Sequence, residues 1–299
     1  MRTLKIHRTR KDIAIQEIRG QRLTGERALF AQRDALIEDC VFEDGESPLK
    51  ESRDVTVKDT VFRWKYPLWY GDHVEVTNSL FEFNAHAAFW YSRHMRFADC
   101  TIQVPKEFRR NEDVTVERTA FTDAAETFWQ CRDVTLRHVS ASGDYFAMNC
   151  EDMDISDFQL TGNYCFDGAR DITVERARLL SKDAFWNCEN VTVRDSFISG
   201  EYLAWNTRNI TFENCTIESL QGLCYIDRLT MRNCRLINTT RASEYCTGID
   251  ADVTTHVDGV VNPVSGTIRA AGFGDVVQDD PAIDTSKVRL VDTTKTARA

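Results

Sequence analysis

The chain has 299 residues, 42% of them hydrophobic and 28% charged, a balance typical of a soluble protein with a sizeable core. Its formal net charge of −10 argues against nucleic acid as a partner. The first ten residues contain no apolar signal segment, and no stretch of the chain approaches the roughly 20 apolar residues that span a bilayer. We therefore expect a cytoplasmic protein that binds neither nucleic acid nor membranes.

Residues 1–30 contain no clear repeat, and we interpret them as an N-terminal cap with the first strands. From residue 31 onward one phrase recurs eleven times: an apolar-x-apolar triplet, a polar turn, and a second short apolar segment. Successive copies are 19 to 21 residues apart. The first apolar residues of the copies are Ala35, Val55, Val74, Met95, Val114, Val134, Met153, Ile172, Val191, Ile210 and Leu229.

Each copy alternates with period two and prefers β-branched residues, as in Val191-Thr192-Val193, which is typical of a strand. The turn that follows is rich in Asp and Asn, for example Asp195 and Asn214, which tolerate the left-handed backbone of a sharp corner. A coil of about 19 residues that returns to register predicts an all-β, right-handed parallel β-helix of eleven or more coils. The repeats occupy residues 31–240 of one domain.

After Leu236 the register is lost, and residues 241–299 are predicted to form an irregular C-terminal cap with about two more strands and a polar, mobile tail from residue 284. The ten cysteines include no Cys-x-x-Cys pair, so we interpret them as reduced thiols that pack the core. The six histidines share no metal-like spacing. His73 and His94 occupy a position that is usually Asp, which favours a corner role, and we expect neither a metal nor a cofactor.

The segment before each repeat carries aromatic residues at one position of successive coils. Trp129, Trp186 and Trp205 belong to this column, together with Arg109 and Asp167. Two interpretations stay open: a core ladder, or an exposed platform on which sugar rings stack. Asn187 and Asn206 follow the tryptophans, and their amides suit sugar hydroxyl groups as well as they suit an asparagine ladder.

Titratable groups concentrate a few residues earlier in the same segment. One column there contains Glu126, Tyr145, Tyr164, Asp183 and Tyr202, and beside it run Asp144, Lys182 and Glu201. Asp144 and Asp183 lie two coils apart, roughly 10 Å, a separation that suits inverting glycoside hydrolysis. Asp183 and Glu201 lie on adjacent coils, nearer the roughly 5 Å of retaining chemistry. Lys182 is expected to stack under Glu201 and hold it ionised.

We therefore predict a catalytic site with Asp183 as acid or base, Asp144 and Glu201 as partners, and Asp167 in reserve. Desolvation by Tyr164 and Tyr202 should raise the pKa of Asp183. The predicted substrate contacts are Trp129, Trp186, Trp205, Tyr145, Tyr164, Tyr202, Lys182, Glu126, Asn187 and Asn206.

Several long motifs resemble a bacterial family known as domain of unknown function 3737. They include Trp-Lys-Tyr-Pro-Leu-Trp-Tyr at 64–70, Gly-Asp-Tyr-Phe at 143–146 and Leu-Leu-Ser-Lys-Asp-Ala-Phe-Trp-Asn-Cys-Glu-Asn-Val-Thr-Val at 179–193. The resemblance implies a right-handed β-helix similar to the pectate-lyase-like superfamily, whose characterised members are mostly carbohydrate-active enzymes.

The functional expectation is an intracellular glycoside hydrolase that acts on a small oligosaccharide or glycoside through a pair of carboxylates. The alternatives are a lyase or glycosyl-transfer enzyme of the β-helix type, and a non-catalytic carbohydrate-binding or scaffold protein. The expected ligand is a carbohydrate, the non-catalytic alternative would recognise a sugar or another chain, and the sequence leaves a homo-oligomer open.

Overall fold

The computed structural model describes residues 15–296 and shows a parallel β-solenoid of about 15 turns. The predicted parallel β-helix is confirmed. Neither of the two short helices, Thr285–Lys287 and Thr293–Thr296, has the length and apolar character that crossing a membrane requires.

Each regular coil contributes one longer strand to a first sheet and one shorter strand to a second sheet. The strands of the first sheet are Gln16–Arg19, Arg33–Glu38, Arg53–Lys58, Asp72–Thr77, Arg93–Ala98, Glu112–Glu117, Arg132–Arg137, Glu151–Ser156, Arg170–Glu175, Glu189–Arg194, Arg208–Glu213, Asp227–Ile237, Ile249–Val253, Gly266–Ala270 and Val288–Asp292. The remaining strands are Arg22–Leu23, Val41–Phe42, Val61–Phe62, Leu80–Phe81, Thr101–Ile102, Ala120–Phe121, Ser140–Ser142, Gln159–Thr161, Arg178–Leu180, Phe197–Ser199, Thr216–Glu218, Val257–Val261 and Phe273–Val277. Strand Asp227–Ile237 takes part in both sheets.

The register of the first sheet follows the sequence repeat. Val55 pairs with Val74, Val74 with Met95, and Val191 with Ile210, so each first apolar residue lies over its counterpart in the next coil. All eleven of these residues are buried. Parallel strands stack about 4.8 Å apart, and the alternating apolar side chains therefore form continuous inward columns.

The corner between the two sheets has the predicted left-handed backbone. Asp195, Asn214 and Asn233 have φ between 48° and 54°. Their side chains are linked from coil to coil: the Asn214 amide donates to Asp195 at 3.0 Å, and the Asn233 amide donates to Asn214 at 2.9 Å. The Asp and Asn residues thus supply both the turn conformation and a surface ladder that ties neighbouring coils together.

All ten cysteines are free and buried, which agrees with the packing role that the sequence predicts. Their thiols also satisfy the backbone, because Cys188 and Cys246 each donate to a carbonyl of the preceding coil at 2.8 Å. Burial raises the pKa of the Cys165 thiol to about 12, so this sulfur stays protonated at neutral pH.

The solenoid extends further at both ends than the repeat indicates. Strand Gln16–Arg19 already lies in register with Arg33–Glu38, and Ile18 pairs with Ile37. Beyond residue 240 the chain adds five strands rather than two. The register shifts between Met231 and Cys234, after which the first sheet continues to Val288–Asp292. The tail that we expected to be mobile therefore includes a paired strand.

The third side of each coil, here called the turn face, joins the second sheet to the next first-sheet strand. On this side every second residue has left-handed backbone, as Asp183, Phe185 and Asn187 show with φ of 58°, 60° and 52°. The alternation points some side chains inward and others outward. A fully buried column faces the core: Leu68, Phe89, Phe108, Phe128, Phe166, Phe185 and Leu223.

Candidate functional site

Two outward columns cover the turn face and place most of the predicted site residues on one surface. The tyrosine column consists of Glu126, Tyr145, Tyr164, Asp183 and Tyr202 on successive coils. The tryptophan column consists of Trp69, Trp90, Arg109, Trp129, Met148, Asp167, Trp186 and Trp205. Both columns flank the buried phenylalanines, which fix the backbone of each coil and therefore the position of every outward side chain.

Asp183 is the most unusual residue of the tyrosine column. It is only 1% exposed, and neither oxygen of its carboxyl group accepts a well-formed hydrogen bond from the described residues. Buried polar groups without partners are rare and destabilise a fold. Burial raises the pKa of Asp183, and the negative charge of Asp167 acts in the same direction.

Lys182 and Tyr164 surround this carboxyl group and oppose the rise in its pKa. The Lys182 ammonium lies 3.9 Å from Asp183 Oδ2 and 5.4 Å from the centre of the Tyr202 ring. The Tyr164 ring stacks on Tyr145 at 5.0 Å, and the charge of Asp183 raises the pKa of the Tyr164 hydroxyl. Asp183 therefore lies beneath a cover of one half-exposed lysine and neighbouring aromatic rings.

The expected pairing of Lys182 with Glu201 is wrong, because among the described residues the ammonium approaches Asp183 instead. Glu201 Oε2 accepts the backbone N–H of Gln221 at 3.1 Å. Asp144 Oδ1 accepts the N–H of Asn163 at 2.7 Å in the same way. Both carboxylates thus hold the backbone of the following coil, a structural task that the sequence did not suggest.

Glu126 has strong partners of its own. Its carboxylate lies 3.3 Å from Arg109 and 3.4 Å from Lys106. The Arg109 guanidinium in turn lies over Trp90 and Trp129, at 4.6 and 5.1 Å from the ring centres. This cluster stands several coils before Asp183 and explains how an arginine is accommodated among tryptophans.

Asp167 interrupts the tryptophan column next to the coil of Asp183. Its Oδ1 accepts the Asn187 amide at 2.9 Å, and the Asn206 amide donates to Asn187 at 2.9 Å. The two asparagines therefore form a ladder that ends on a carboxylate. Asp167 is half-buried, so one of its oxygens remains open to a ligand from the surface.

The tryptophan side chains lie neither in the core nor on an open platform for stacking sugar rings. Trp129, Trp186 and Trp205 are half-buried, and their faces pack against neighbours on adjacent coils. Trp186 and Trp205 are 5.9 Å apart, and Trp205 lies 4.7 Å from Tyr225. The Trp186 indole N–H donates to the Tyr202 carbonyl at 2.8 Å. A ligand on this face would therefore meet mainly the edges of the indoles.

Two features of the structure lie outside the predicted site. Glu107 is completely buried on the turn face four coils earlier, where its Oε2 accepts the Ala88 N–H at 2.7 Å and burial raises its pKa well above the usual range. Asp72, His73 and His94 lie together on the first sheet, with ligand atoms close enough to hold a metal ion. In the sequence, this cluster is marked by His73 and His94, which replace the Asp that usually precedes the first apolar residue of a repeat.

Comparison with known proteins places the chain in a family. The family described as "Protein of unknown function (DUF3737)" matches residues 16–291, and the chain belongs to it. A comparison with curated proteins gives no match.

Three similar solved structures show how distant the sequence similarity is. The mannuronan C-5 epimerase AlgE6 A-module of Azotobacter vinelandii is 10% identical with a TM-score of 0.44, and the alignment covers 88% of this chain and 91% of that one. The periplasmic alginate epimerase AlgG is 11% identical with a TM-score of 0.30, covering 93% and 74%. PfbA, a surface adhesin of Streptococcus pneumoniae, is 8% identical with a TM-score of 0.29, covering 87% and 70%.

Proposed function

We propose that this member of the DUF3737 family is a carbohydrate-active enzyme, a glycoside hydrolase acting on a small oligosaccharide or glycoside, with Asp183 as its proton donor. One observation carries the proposal: a buried carboxyl group without a hydrogen-bond partner, its pKa raised, beneath a surface of tyrosines. General acid catalysis at a glycosidic oxygen requires a carboxylic acid, and a raised pKa favours the protonated form that donates the proton.

Asp167 is the best partner for Asp183 among the nearby acids. Asp144 and Glu201 are engaged by backbone N–H groups, and Glu126 is paired with two cations. Asp167 has a single amide partner and lies close enough for its charge to raise the pKa of Asp183. A buried acid beside a half-buried one is an arrangement that suits acid and base roles in one site.

The proposed reaction uses one water molecule and no other reactant. Water attacks the anomeric carbon while the bond from that carbon to the departing oxygen breaks. Asp183 gives its proton to the departing oxygen, and Asp167 takes a proton from the attacking water. In the substrate-free protein the Lys182 ammonium lies 3.9 Å from the Asp183 carboxyl group, where it favours the ionised form.

Substrate must displace part of the cover over Asp183. Lys182 is the most suitable element to move, because its side chain is 50% exposed and its ammonium contact with Asp183 is long. The exposed ring of Tyr145, the half-buried rings of Tyr164 and Tyr202, and the amides of Asn187 and Asn206 would then supply apolar and hydrogen-bonding contacts to sugar rings. The predicted cytoplasmic location remains part of this proposal.

A second candidate is a carbohydrate-binding protein without catalysis. The observation that favours it is that Asp183 lines neither the groove over the first coils nor the groove over Ser140, Gln159 and Arg178 on the second sheet. A shallow aromatic surface is compatible with recognition alone.

A screen of glycosides and oligosaccharides, with product analysis, separates these candidates. For any substrate found, Asp183→Asn should lower kcat/KM by about 10²–10⁴-fold, because a general acid contributes that much. Asparagine tolerates the left-handed backbone at this position, where φ is 58°. Asp171→Asn, a surface change on the first sheet, is the matched control and should leave the rate unchanged.

The outcomes are distinct. Hydrolysis that survives Asp183→Asn in a folded protein contradicts the proposed role of Asp183. An unsaturated product would instead identify lyase chemistry, and saturable binding of a sugar without turnover would identify the non-catalytic protein.

A further inference from the structure

Arg178 lies on the outer face of the second sheet, in a column that runs through Ser140, Gln159, Arg178 and Phe197 on successive coils. Its guanidinium group packs on the ring of Phe197, 5.1 Å from the ring centre. In the part of the chain that the structure describes, the exposed Arg178 side chain has no hydrogen bond and no ion pair. The ring of Phe197 therefore holds the plane of the guanidinium, and the N–H groups in that plane are free to bind a ligand.

The second sheet also contains an arginine in the opposite situation. Arg63, which follows strand Val61–Phe62, contacts Glu43 at 3.1 Å and Glu82 at 3.2 Å. The neighbours of Arg178 in its own column are an amide and an aromatic ring, so neither of them neutralises the guanidinium.

The carboxylates at the corner beside Arg178 already have partners. Asp157 accepts hydrogen bonds from Arg176 at 2.9 and 3.0 Å, and Asp195 accepts the Asn214 amide at 3.0 Å. Arg178 thus carries an uncompensated positive charge, although the formal net charge of the protein is −10. A local charge of this kind attracts an anionic group.

A recess of about 350 Å³ opens beside Arg178 on the same face of the sheet. Ala120, Ser140 and Ser142 are small, and they leave a depression next to the longer side chains of Gln159 and Arg178. The volume lies within the roughly 300–1,000 Å³ that is typical of small-molecule sites.

The walls of the recess offer hydrogen bonds without further charge. Ser140, Ser142 and Thr161 are exposed and contribute hydroxyl groups, and Gln159 contributes an amide. Among the described residues, none of these four side chains is engaged in a hydrogen bond. Coils are about 4.8 Å apart, so Ser140 lies roughly 10 Å from Arg178 along the column. The recess therefore suits a hydroxylated molecule with one negative group at its end.

We propose that this recess binds a small sugar derivative through an oxyanion, a carboxylate or a phosphate, with Arg178 as the anion-binding residue. Both groups present pairs of oxygens that match two parallel N–H bonds of a guanidinium. The hydroxyl groups and the amide of the recess contact the sugar ring. The site lies on the second sheet, away from the turn face, and does not rest on the proposed function.

Binding is tested on the full chain by ligand-observed NMR titration with glucuronate and with glucose 6-phosphate. At least one of these probes should bind with a Kd below about 1 mM. Glucose, which lacks the charge, should bind at least about 10-fold more weakly than that probe. Acetate and inorganic phosphate do not reach the hydroxyl groups, so each should bind at least about 10-fold more weakly than the sugar that carries the same oxyanion. The tighter of the two charged sugars identifies the oxyanion.

The variants separate the guanidinium from a general effect of charge. Arg178→Gln should weaken binding of the tighter probe at least about 10-fold, because the charge-assisted hydrogen bonds are lost. Arg178→Lys keeps the charge without the planar pair of donors and should give an intermediate affinity. Arg235→Gln is the matched control, because Arg235 is an exposed residue of the same column, three coils further along and outside the recess. Its affinity should equal that of the wild type.

All three substitutions change exposed side chains of the outer face, and circular dichroism of each variant checks that the sheets are intact. Three results would overturn the proposal. They are a Kd above about 1 mM for both charged sugars, equal affinities of Arg178→Gln and wild type, and binding of acetate or inorganic phosphate as tight as that of the corresponding sugar, which would indicate an adventitious ion only. None of these measurements involves hydrolysis, so this proposal and the proposed function fail independently.

Discussion

Asp72 and Asp183 are two nearly buried aspartates of one solenoid, 6% and 1% exposed, yet their pKa values move in opposite directions. Burial raises both, but hydrogen bonds from Arg93 and His94 with the charges of Arg93 and His73 bring the pKa of Asp72 far below its usual range. At Asp183 burial prevails over Lys182 and Tyr164. In a stacked fold, the side chains on adjacent coils decide whether a buried carboxyl group is ionised.

The largest effect on stability is expected at Asp72. Asp72→Asn should lower the free energy of unfolding by about 2 kcal/mol at neutral pH, because hydrogen bonds to a charged group are lost. Half-exposed arginines limit the loss, since water screens the charges that remain. Urea unfolding measures the difference, and the exposed Asp171→Asn should change stability by less than about 0.5 kcal/mol. Equal effects of the two substitutions would show that the hydrogen bonds and ion pairs of Asp72 contribute no more to stability than those of an exposed aspartate.

The opposite result is expected at Asp183. At pH 7, Asp183→Asn should leave stability unchanged or raise it by about 1 kcal/mol, because it removes a carboxyl group whose ionisation is disfavoured by burial. The folded pKa of Asp183 lies above its unfolded value of about 4, so the wild type loses stability as pH rises through this interval. The advantage of Asp183→Asn should therefore shrink toward pH 4.

Urea unfolding of wild type and variant across this pH range provides the measurement. A variant that is clearly less stable at pH 7 would show that the Asp183 carboxyl group makes stabilising interactions in the folded protein. Asp183 and Asp72 would then affect stability in the same direction.

The smallest effects concern the cover over Asp183. Lys182→Met and Tyr164→Phe should each raise the pKa of Asp183 further, because the ammonium charge and the tyrosine hydroxyl both favour the carboxylate. Infrared titration of the carboxyl stretch, with Asp183→Asn to assign the band, measures the direction. Global stability should change by less than about 0.5 kcal/mol for Lys182→Met. A lower pKa in either variant would contradict the assignment of Lys182 and Tyr164 as groups that favour the Asp183 carboxylate.

The sequence by itself determined the architecture, because strand alternation, turn residues and coil length can all be read from residues close together in the chain. Val191-Thr192-Val193 alternates as a strand must, Asp195 permits the corner, and a constant spacing of 19 residues places each copy over the last. The uniformly apolar column of Phe166 and Phe185 also identified the inward side of the turn face. The C-terminal coils escaped because the spacing between paired strands varies there, from 17 residues between Ile249 and Gly266 to 22 between Gly266 and Val288, so no fixed period marks them.

Only the tertiary structure decided how the outward side chains are used. The same carboxyl group can accept a hydrogen bond from a backbone N–H, as Asp144 and Glu201 do, or be buried without a well-formed hydrogen bond, as Asp183 is, and the choice depends on the groups around it. Likewise, Trp69 stacks on Trp90 at 5.1 Å, and Trp129 packs under the Arg109 guanidinium at 5.1 Å. The period of the sequence defines which residues share a column. Their chemistry depends on hydrogen bonds and burial between coils, and these contacts do not repeat from coil to coil.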